Sequence, residues 1–415
     1  MRTEAVRTAV PDKRIDELVA LRTEANASFF AAEADRLAKL CHLMAERFAR
    51  GGRLLALGAS PQARSDARHV AVEFVHPVIV GKRALPAIGL AGEGGSLIRQ
   101  VELLAEPGDI VIGFGDDAPF LTPDPARGGG EVAQALGLAR ERGCLTLAFE
   151  PGPAEWVFEP PAEDPFVRQE LAETAYHLLW ELVHIFFDHR GLLEGRDART
   201  VHDTGASSFL YPFLGEQEDD LDAVLADVKA SVLLKAEEIG ELRARTLLDG
   251  REELAAAAHT LRDALDGGGR LLVLGNGGSA TDAMDAAADM RCPPHGWPAR
   301  PALDLTEDTS IITAILNDIG TEAIFSRQVI AHGREGDVLL TLSTSGTSKN
   351  VIAALAEARK RSLATVAMVG YDGGTVAADR LADHVVITRS EHIPRIQEAQ
   401  ASAWHALREL MEVNR

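Results

Sequence analysis

Cysteine is scarce in this sequence: only Cys41, Cys144 and Cys292 occur, and they lie far apart. Their separation is unlike the paired spacing of a zinc ribbon or a disulfide framework, and it indicates a reducing compartment. Long apolar runs are also lacking, because no stretch reaches the ~18 residues that a membrane span needs. The first residues, MRTEAVRTAVPDKRIDEL, are too polar for a secretory signal. These absences predict a soluble, cytoplasmic protein.

Basic residues are outnumbered by acidic ones, with 42 Lys and Arg against 63 Asp and Glu, so the formal net charge is −21. An acidic surface does not attract nucleic acid or anionic membranes, and neither is an expected partner. At 415 residues the chain exceeds the size at which a single core usually divides. Two domains of roughly 200 residues each are therefore expected.

Two segments in the second half run from an apolar strand into a turn of small residues. They are LLVLGNGGS at 271–279 and LLTLSTSGTS at 339–348. Hydroxyl groups, together with the unpaired N–H groups of a following helix, suit a phosphate. A turn that merely caps a helix is the alternative for either loop alone. Two such loops at strand ends of one α/β unit favour a phosphosugar site.

The second half resembles the sugar isomerase (SIS) domain and, within it, the phosphoheptose isomerases. The resemblance rests on GNGGSATDA at 275–283, TAILNDIGTEAIFSRQV at 313–329, REGDVLLTLSTSGTSKNV at 334–351 and PRIQEA at 394–399. It implies an α/β fold and isomerisation of a ketose phosphate, such as sedoheptulose 7-phosphate, to its aldose phosphate. No organic cofactor is expected. The alternative is a catalytically weakened sugar-phosphate-binding protein with a regulatory or scaffold role.

The first half is a degenerate copy of the second. GGRLLALGAS at 51–60 matches GGRLLVLGNG at 268–277, and ALGLARERGCLTLAF at 135–149 matches ALAEARKRSLATVAM at 354–368. We therefore predict two SIS domains, 1–188 and 219–415, joined by a linker at 189–218. Each is expected to be a three-layer α/β/α unit with a mainly parallel sheet. Each begins with a long helical pattern, at roughly 13–49 and 219–266.

The resemblance also implies an oligomeric state. The similar isomerases are tetramers of single domains, so a homodimer of this two-domain chain would form a pseudo-tetramer.

The resemblance places the substrate in the second copy. The residues at the family's binding positions are Asn276, Gly277, Gly278, Ser279, Asn317, Asp318, Ser343, Thr344, Ser345, Ser348 and Gln397. The first copy has Gly115, Asp116 and Asp117 where the second has three hydroxyls. Each carboxylate would repel a phosphate by about 3 to 4 kcal/mol. The first copy is therefore not expected to bind a sugar phosphate by itself.

A divalent metal site is implied by the same resemblance. The family holds its metal with a His and a Glu four residues apart, plus a Gln and a His on the C-terminal helix. At these positions the first copy has His69, Glu73, Gln169 and His177, whereas the second has Asp285, Asp289, Gln397 and His405. Zinc is the candidate for the first set, and a harder ion for the more oxygen-rich second set. The alternatives are a surface helix pair at His69 and Glu73, and solvated carboxylates at Asp285 and Asp289.

Isomerisation moves a proton between adjacent carbons and needs a general base, a general acid and stabilisation of the developing oxyanion. By resemblance Asp289 is the base and His405 the acid, with a metal to polarise the carbonyl. Gln397 and His405 are eight residues apart, a rise of about 12 Å along a helix, so both reach one metal only if the helix starts irregularly or another chain contributes. A composite site, in which His69 and Glu73 face the phosphate loop of the other copy, is the alternative.

Overall fold

The structure is a computed structural model that describes residues 2–78, 82–91, 95–115, 130–188 and 220–412. The chain divides into two compact units. The N-terminal unit comprises Ala25–Asp164 and Leu171–Glu238, and the C-terminal unit comprises Met1–Glu24, Pro165–Glu170 and Ile239–Arg415. The whole of the predicted linker, 189–218, lies outside the described residues, so the predicted domain boundaries stay a prediction. Within the described ranges, no helix is long and apolar enough to cross a membrane.

The first half of the chain forms a five-stranded parallel sheet with order β2-β1-β3-β4-β5. Its elements are α1 (Arg2–Ala49), β1 (Leu54–Gly58), α2 (Pro61–Val75), β2 (Ala87–Leu90), α3 (Leu97–Leu104), β3 (Ile110–Phe114), α4 (Glu131–Glu141), β4 (Leu145–Ala148), β5 (Trp156–Val157) and α5 (Pro165–Asp188). The helices α1 and α5 each have their first part in the C-terminal unit and the remainder in the N-terminal unit.

The second half forms another five-stranded parallel sheet, with order β10-β9-β8-β6-β7. Its elements are α6 (Leu221–Asp249), α7 (Arg251–Asp266), β6 (Leu271–Leu274), α8 (Gly278–Arg291), β7 (Ala302–Asp304), α9 (Thr309–Asp318), a 3-10 turn (Thr321–Ala323), α10 (Ile324–His332), β8 (Val338–Ser343), α11 (Lys349–Lys360), β9 (Ala364–Gly370), α12 (Gly374–Ala378), β10 (His384–Thr388) and α13 (Ile393–Glu412). In both sheets the first strand lies between the second and the third.

The sheet of the C-terminal unit is buried on both faces. Along β6, Leu271 and Val273 belong to one apolar cluster, and Leu272 and Leu274 belong to another on the opposite face. A strand covered on both sides needs a continuous apolar run, which the sequence LLVL supplies. The fold class predicted from the sequence, two α/β units of SIS type, is confirmed.

One local contact recurs in the two halves. Asp109 accepts a hydrogen bond from the backbone N–H of Arg53 at 2.8 Å, and Asp337 accepts one from Arg270 at 2.9 Å. In each half this contact joins the turn before the third strand to the start of the first. A duplicated unit would leave such recurrences, and the duplication itself stays an inference from the sequence.

The predicted helix at 219–266 is wrong as a single element. It breaks at Gly250, which lies between α6 and α7. A Cβ atom at Gly250 would lie 2.7 Å from the Thr246 carbonyl oxygen, so this break suits only a residue without a side chain.

Candidate functional site

Two strand-to-helix loops of the C-terminal unit lie at the same edge of its sheet. β6 and β8 are adjacent and parallel, with Leu274 in register with Thr341. The loop after β6 leads directly into α8, and the loop after β8 leads into α11. Asn276 of the first loop and Asn350 of α11 exchange two amide hydrogen bonds, at 3.1 and 2.8 Å. The predicted substrate-binding loops are therefore neighbours, each followed by a helix N-terminus that favours an anion.

The loop after β8 is organised by its own hydroxyl groups. Gly346 N–H donates to Ser343 Oγ at 3.1 Å, and the hydroxyl of Thr347 donates to Ser345 Oγ at 3.0 Å. The Ser345 oxygen acts as an acceptor in this contact, so its own proton remains available for a ligand. Ser348 is the N-cap of α11 but makes no capping hydrogen bond through its side chain. Thr344, between these residues, is half-buried.

The first glycine loop approaches α8 closely. Gly277 has a positive φ of 58° and is the N-cap of α8, so Gly278 and Ser279 form the first turn. Asn276 and Gly277 are exposed, whereas Ser279 is buried. The exposed part of this loop and the N-terminus of α8 therefore offer backbone N–H groups to a ligand.

Asn317 and Asp318 lie at the C-terminal end of α9, where both are exposed and the Asn317 amide donates to Asp318 at 2.7 Å. The 3-10 turn that follows carries Glu322, which pairs with Lys349 at 2.9 Å. This surface pair joins the segment after α9 to the start of α11. The described residues of the first half contain no counterpart of α9 between β2 and α3, as the shorter first copy predicts.

Asp285, Asp289 and His405 form a buried cluster in the C-terminal unit. One donor atom from each lies within 4.8 Å of the others. His405 Nε2 lies 3.5 Å from Asp285 Oδ2 and 3.6 Å from Asp289 Oδ2. Asp285 is 8% exposed and Asp289 is 1% exposed, so the alternative of solvated helix carboxylates is wrong. Trp404 Nε1 donates to Asp289 at 2.9 Å and holds that carboxylate in place.

Gln169 belongs to this cluster, although the family resemblance placed it in a metal set with His69. The first turns of α5, residues Pro165–Glu170, lie in the C-terminal unit. There the Gln169 amide donates to Asp285 Oδ1 at 2.9 Å, and the ring of Phe166 stacks on that of His405 with centroids 4.5 Å apart. Gln397 is buried on α13, two turns before His405.

The other side of His405 faces Glu170, also on α5. His405 Nδ1 lies 2.9 Å from Glu170 Oε1, and Arg22 of α1 donates to both oxygens of that carboxylate. Burial by itself would raise the pKa of Glu170, but Arg22 and His405 hold it well below its usual range. Burial by itself would lower the pKa of His405, but Asp285, Glu170 and Asp289 raise it to about 10. At neutral pH His405 is thus an imidazolium between three carboxylates.

The donor atoms of this set, one imidazole nitrogen and two carboxylate oxygens, fit a divalent ion. His405 Nε2 is buried without a hydrogen-bond partner and faces two carboxylates, which is the geometry of a cation site. However, the raised pKa of His405 means that a proton occupies Nε2 at neutral pH. A metal would have to displace that proton.

The N-terminal unit contains a second buried cluster. His69 Nε2 and His177 Nε2 lie 3.2 Å apart, and Glu173 completes a group whose donor atoms lie within 4.8 Å of one another. Tyr176 Oη lies 3.0 Å from His69 Nδ1, and Glu73 Oε1 lies 3.9 Å from His69 Nε2. All these residues are buried, so the alternative of a surface helix pair is wrong. Two imidazole nitrogens that face each other beside a carboxylate fit the ligand preferences of zinc.

The similarity to known proteins covers the segment that contains the loops after β6 and β8. A family model for the SIS domain matches residues 236–370. The phosphoheptose isomerase of Geotalea daltonii is 44% identical over 164 residues, which cover 39% of this chain and 83% of that protein. The phosphoheptose isomerase of Roseiflexus sp. is 40% identical over 196 residues, which cover 46% of this chain and 91% of that protein. This chain belongs to the phosphoheptose isomerase family.

A solved structure with a similar fold covers both halves of this chain. The C-terminal domain of glucosamine-fructose-6-phosphate aminotransferase from Francisella tularensis superposes with a TM-score of 0.56, covering 96% of this chain and 95% of that chain. The sequence identity is 11%, so this comparison shows the fold alone.

The sequence reasoning missed several functional candidates in this phosphoheptose isomerase homologue. Glu170 and Glu173 lie on α5 beside predicted positions, and Arg22 lies on α1. The signal of Glu170 and Glu173 in the sequence is only a charged residue within an apolar helix, and Arg22 lies among many other charged residues of α1. The first copy's loop at Asp116 and Asp117 lies outside the described residues. Its other loop is described: Ser60 caps α2 by accepting from Ala63 N–H at 3.1 Å, which is an ordinary helix start.

Proposed function

We propose that the chain is a phosphosugar isomerase that interconverts a ketose phosphate and its aldose phosphate, with sedoheptulose 7-phosphate as the leading substrate. One observation carries this proposal: the C-terminal unit combines two loops suited to a phosphate with a buried pair of opposite charge, Asp289 and His405. Binding a phosphate requires the loops but not the buried pair. The named relatives support the class of reaction.

The phosphate group of the substrate binds at the loop after β8. Ser345 and Ser348 donate through their hydroxyls, and the N-terminus of α11 supplies backbone N–H groups. The glycine loop before α8 contacts the sugar, because Asn276 and Asn350 hold the two loops together. Exposed Asn317 and Asp318 offer an amide and a carboxylate to sugar hydroxyls.

The proton transfer uses the buried pair. Asp289 removes the proton from C1 of the ketose, and His405, which is protonated at neutral pH, donates a proton to the oxygen on C2. Asp289 then donates its proton to C2 of the resulting enediol. The hydroxyl group on C1 of the enediol gives its proton to His405. Both groups regain their starting states, so the cycle is balanced.

The metal of the protein is proposed to be zinc, and its site to be His69, His177 and Glu173 of the N-terminal unit. Two neutral imidazoles and a carboxylate are a common ligand set for this ion. When bound, the ion would supply local structural stability to α2 and α5, which carry the ligands.

An isomerase assay with five-, six- and seven-carbon sugar phosphates tests the function, together with calorimetric binding to the Ser345→Ala variant. Loss of one hydrogen bond to the charged phosphate should weaken binding by roughly 10- to 150-fold. Ser60→Ala is a control, because Ser60 is a serine in a strand-to-helix loop of the first copy, after β1, and that copy is not expected to bind a sugar phosphate. Binding that depends on Ser345 without any turnover would instead identify a sugar-phosphate-binding regulatory protein. Binding that is unaffected by Ser345→Ala would contradict both functions.

A further inference from the structure

Glu170 is a buried carboxylate of the C-terminal unit that several hydrogen bonds hold in place. Its side chain is 1% exposed and accepts hydrogen bonds from Arg22 Nε at 3.1 and 3.0 Å and from Arg22 Nη2 at 2.9 Å. The hydroxyl of Ser402 donates to Glu170 Oε2 at 2.6 Å. Arg243 of α6 donates to its backbone carbonyl at 2.9 Å. A carboxylate fixed by a two-pronged guanidinium contact keeps both its charge and its orientation.

The position of Glu170 determines the state of one ring nitrogen of His405. An ionised carboxylate can only accept a hydrogen bond, so His405 Nδ1, at 2.9 Å, must carry a proton. With Nδ1 engaged, the ring is fixed so that Nε2 faces Asp285 and Asp289. The stacked ring of Phe166, one turn before Glu170, restricts the remaining rotation.

We propose that Glu170, contributed by the helix that ends the first half of the chain, is a positioning residue that holds His405 in the orientation required for proton transfer. This inference rests on the proposed function, since it assigns a role within that reaction. The first half thus contributes to the chemistry of the C-terminal unit through α5, which carries Phe166, Gln169 and Glu170. This arrangement differs from the composite site considered in the sequence analysis, in which His69 and Glu73 face the phosphate loop of the other copy.

The decisive variant is Glu170→Gln in the full chain. Glutamine keeps the size of the side chain and can still accept a hydrogen bond, but it loses the charge that fixes the Nδ1 proton. Loss of the carboxylate that orients a metal-ligating histidine typically costs about 10- to 100-fold in activity, and we take the same range for a histidine oriented for proton transfer. We expect kcat to fall by about this factor, while KM for the sugar phosphate stays within about twofold because the phosphate loops are unchanged.

A spectroscopic measurement separates this inference from the proposed reaction. In ¹H–¹⁵N spectra of the ring nitrogens, His405 Nδ1–H should give a low-field, exchange-protected resonance, assigned by its loss in His405→Gln. It should disappear or move upfield in Glu170→Gln. Glu181→Gln is the matched control: Glu181 is a buried glutamate on the same helix, paired with Lys235 at 2.7 Å, and has no contact with His405. It should leave both the resonance and kcat unchanged.

If Glu170→Gln does not fold, Ser402→Ala removes one hydrogen bond to Glu170 without touching the ring of His405. A shifted resonance and a severalfold lower kcat would support the inference in the same way. An unchanged resonance and an unchanged kcat in either folded variant would overturn it. If the wild-type protein has no isomerase activity, the proposed function fails, but the resonance still decides whether Glu170 orients His405.

Discussion

Gly346 determines the shape of the loop after β8, and replacing it with alanine tests that loop most directly. Gly346 has a φ of +63°, which costs an L-residue roughly 1 to 2 kcal/mol. A Cβ atom there would also lie 2.3 Å from the carbonyl oxygen of Gly373 and 2.8 Å from its carbonyl carbon. Both atoms are backbone, so no side chain can rotate away, and such overpacking costs a further ~1 to 3 kcal/mol. We expect Gly346→Ala to lose about 2 to 5 kcal/mol in total.

Gly336→Ala is the matched control for backbone strain. Gly336 has a φ of +87°, but nothing lies within 4 Å of the position of its Cβ. Its cost should therefore be the backbone part alone, roughly 1 to 2 kcal/mol. In scanning calorimetry each kcal/mol lowers Tm by roughly 2 to 4 °C in a domain of this size. The Tm of the unit that contains this loop should thus fall further in Gly346→Ala than in Gly336→Ala.

Ligand affinity distinguishes a shifted loop from general destabilisation. Relief of the contact with Gly373 requires movement of Gly346, whose N–H donates to Ser343 Oγ. Loss of one charge-assisted hydrogen bond to the phosphate would weaken sugar-phosphate binding by roughly 10- to 150-fold. Gly336→Ala should bind normally. Equal Tm values and equal affinities for the two variants would refute this account of the loop.

Two further measurements test the buried clusters. Zinc content per chain, measured after purification without chelator, should fall in His69→Ala and in Glu173→Ala but stay level in Asp285→Ala; the opposite pattern would place the metal in the C-terminal unit. In metal-free protein, the pKa of His405 is raised to about 10, against 6.5 in the unfolded chain. Protonated His405 therefore stabilises the fold fully below about pH 6.5, and this contribution is lost as the pH rises through about 10. Urea denaturation between pH 6.5 and 10 should show this decline in wild type and in His184→Gln, because burial lowers the pKa of His184 to about 4, outside that window. A flat profile would contradict the ion pairing of His405.

Local features of the sequence were sufficient to predict the family and the α/β fold, and to find the two strands that lead into loops of small residues. These features depend on short stretches of chain: an apolar run that becomes a buried strand, and small residues that permit a tight turn into a helix. The α/β fold of both halves is confirmed for the same reason. Gly250 shows the limit of such reasoning, since the apolar periodicity continues through a residue at which the helix is interrupted.

The neighbours of each buried histidine were decided only by the tertiary structure. Spacing along a helix indicates which residues share a face, but it does not indicate which distant helix covers that face. Gln169 and His177 match one family set in sequence, yet α5 places Gln169 beside Asp285 and places His177 beside His69. Eight residues of regular helix extend about 12 Å, so Gln169 and His177 can each meet a different partner helix. The sequence therefore determined the kinds of functional groups, whereas long-range helix packing determined which of them act together.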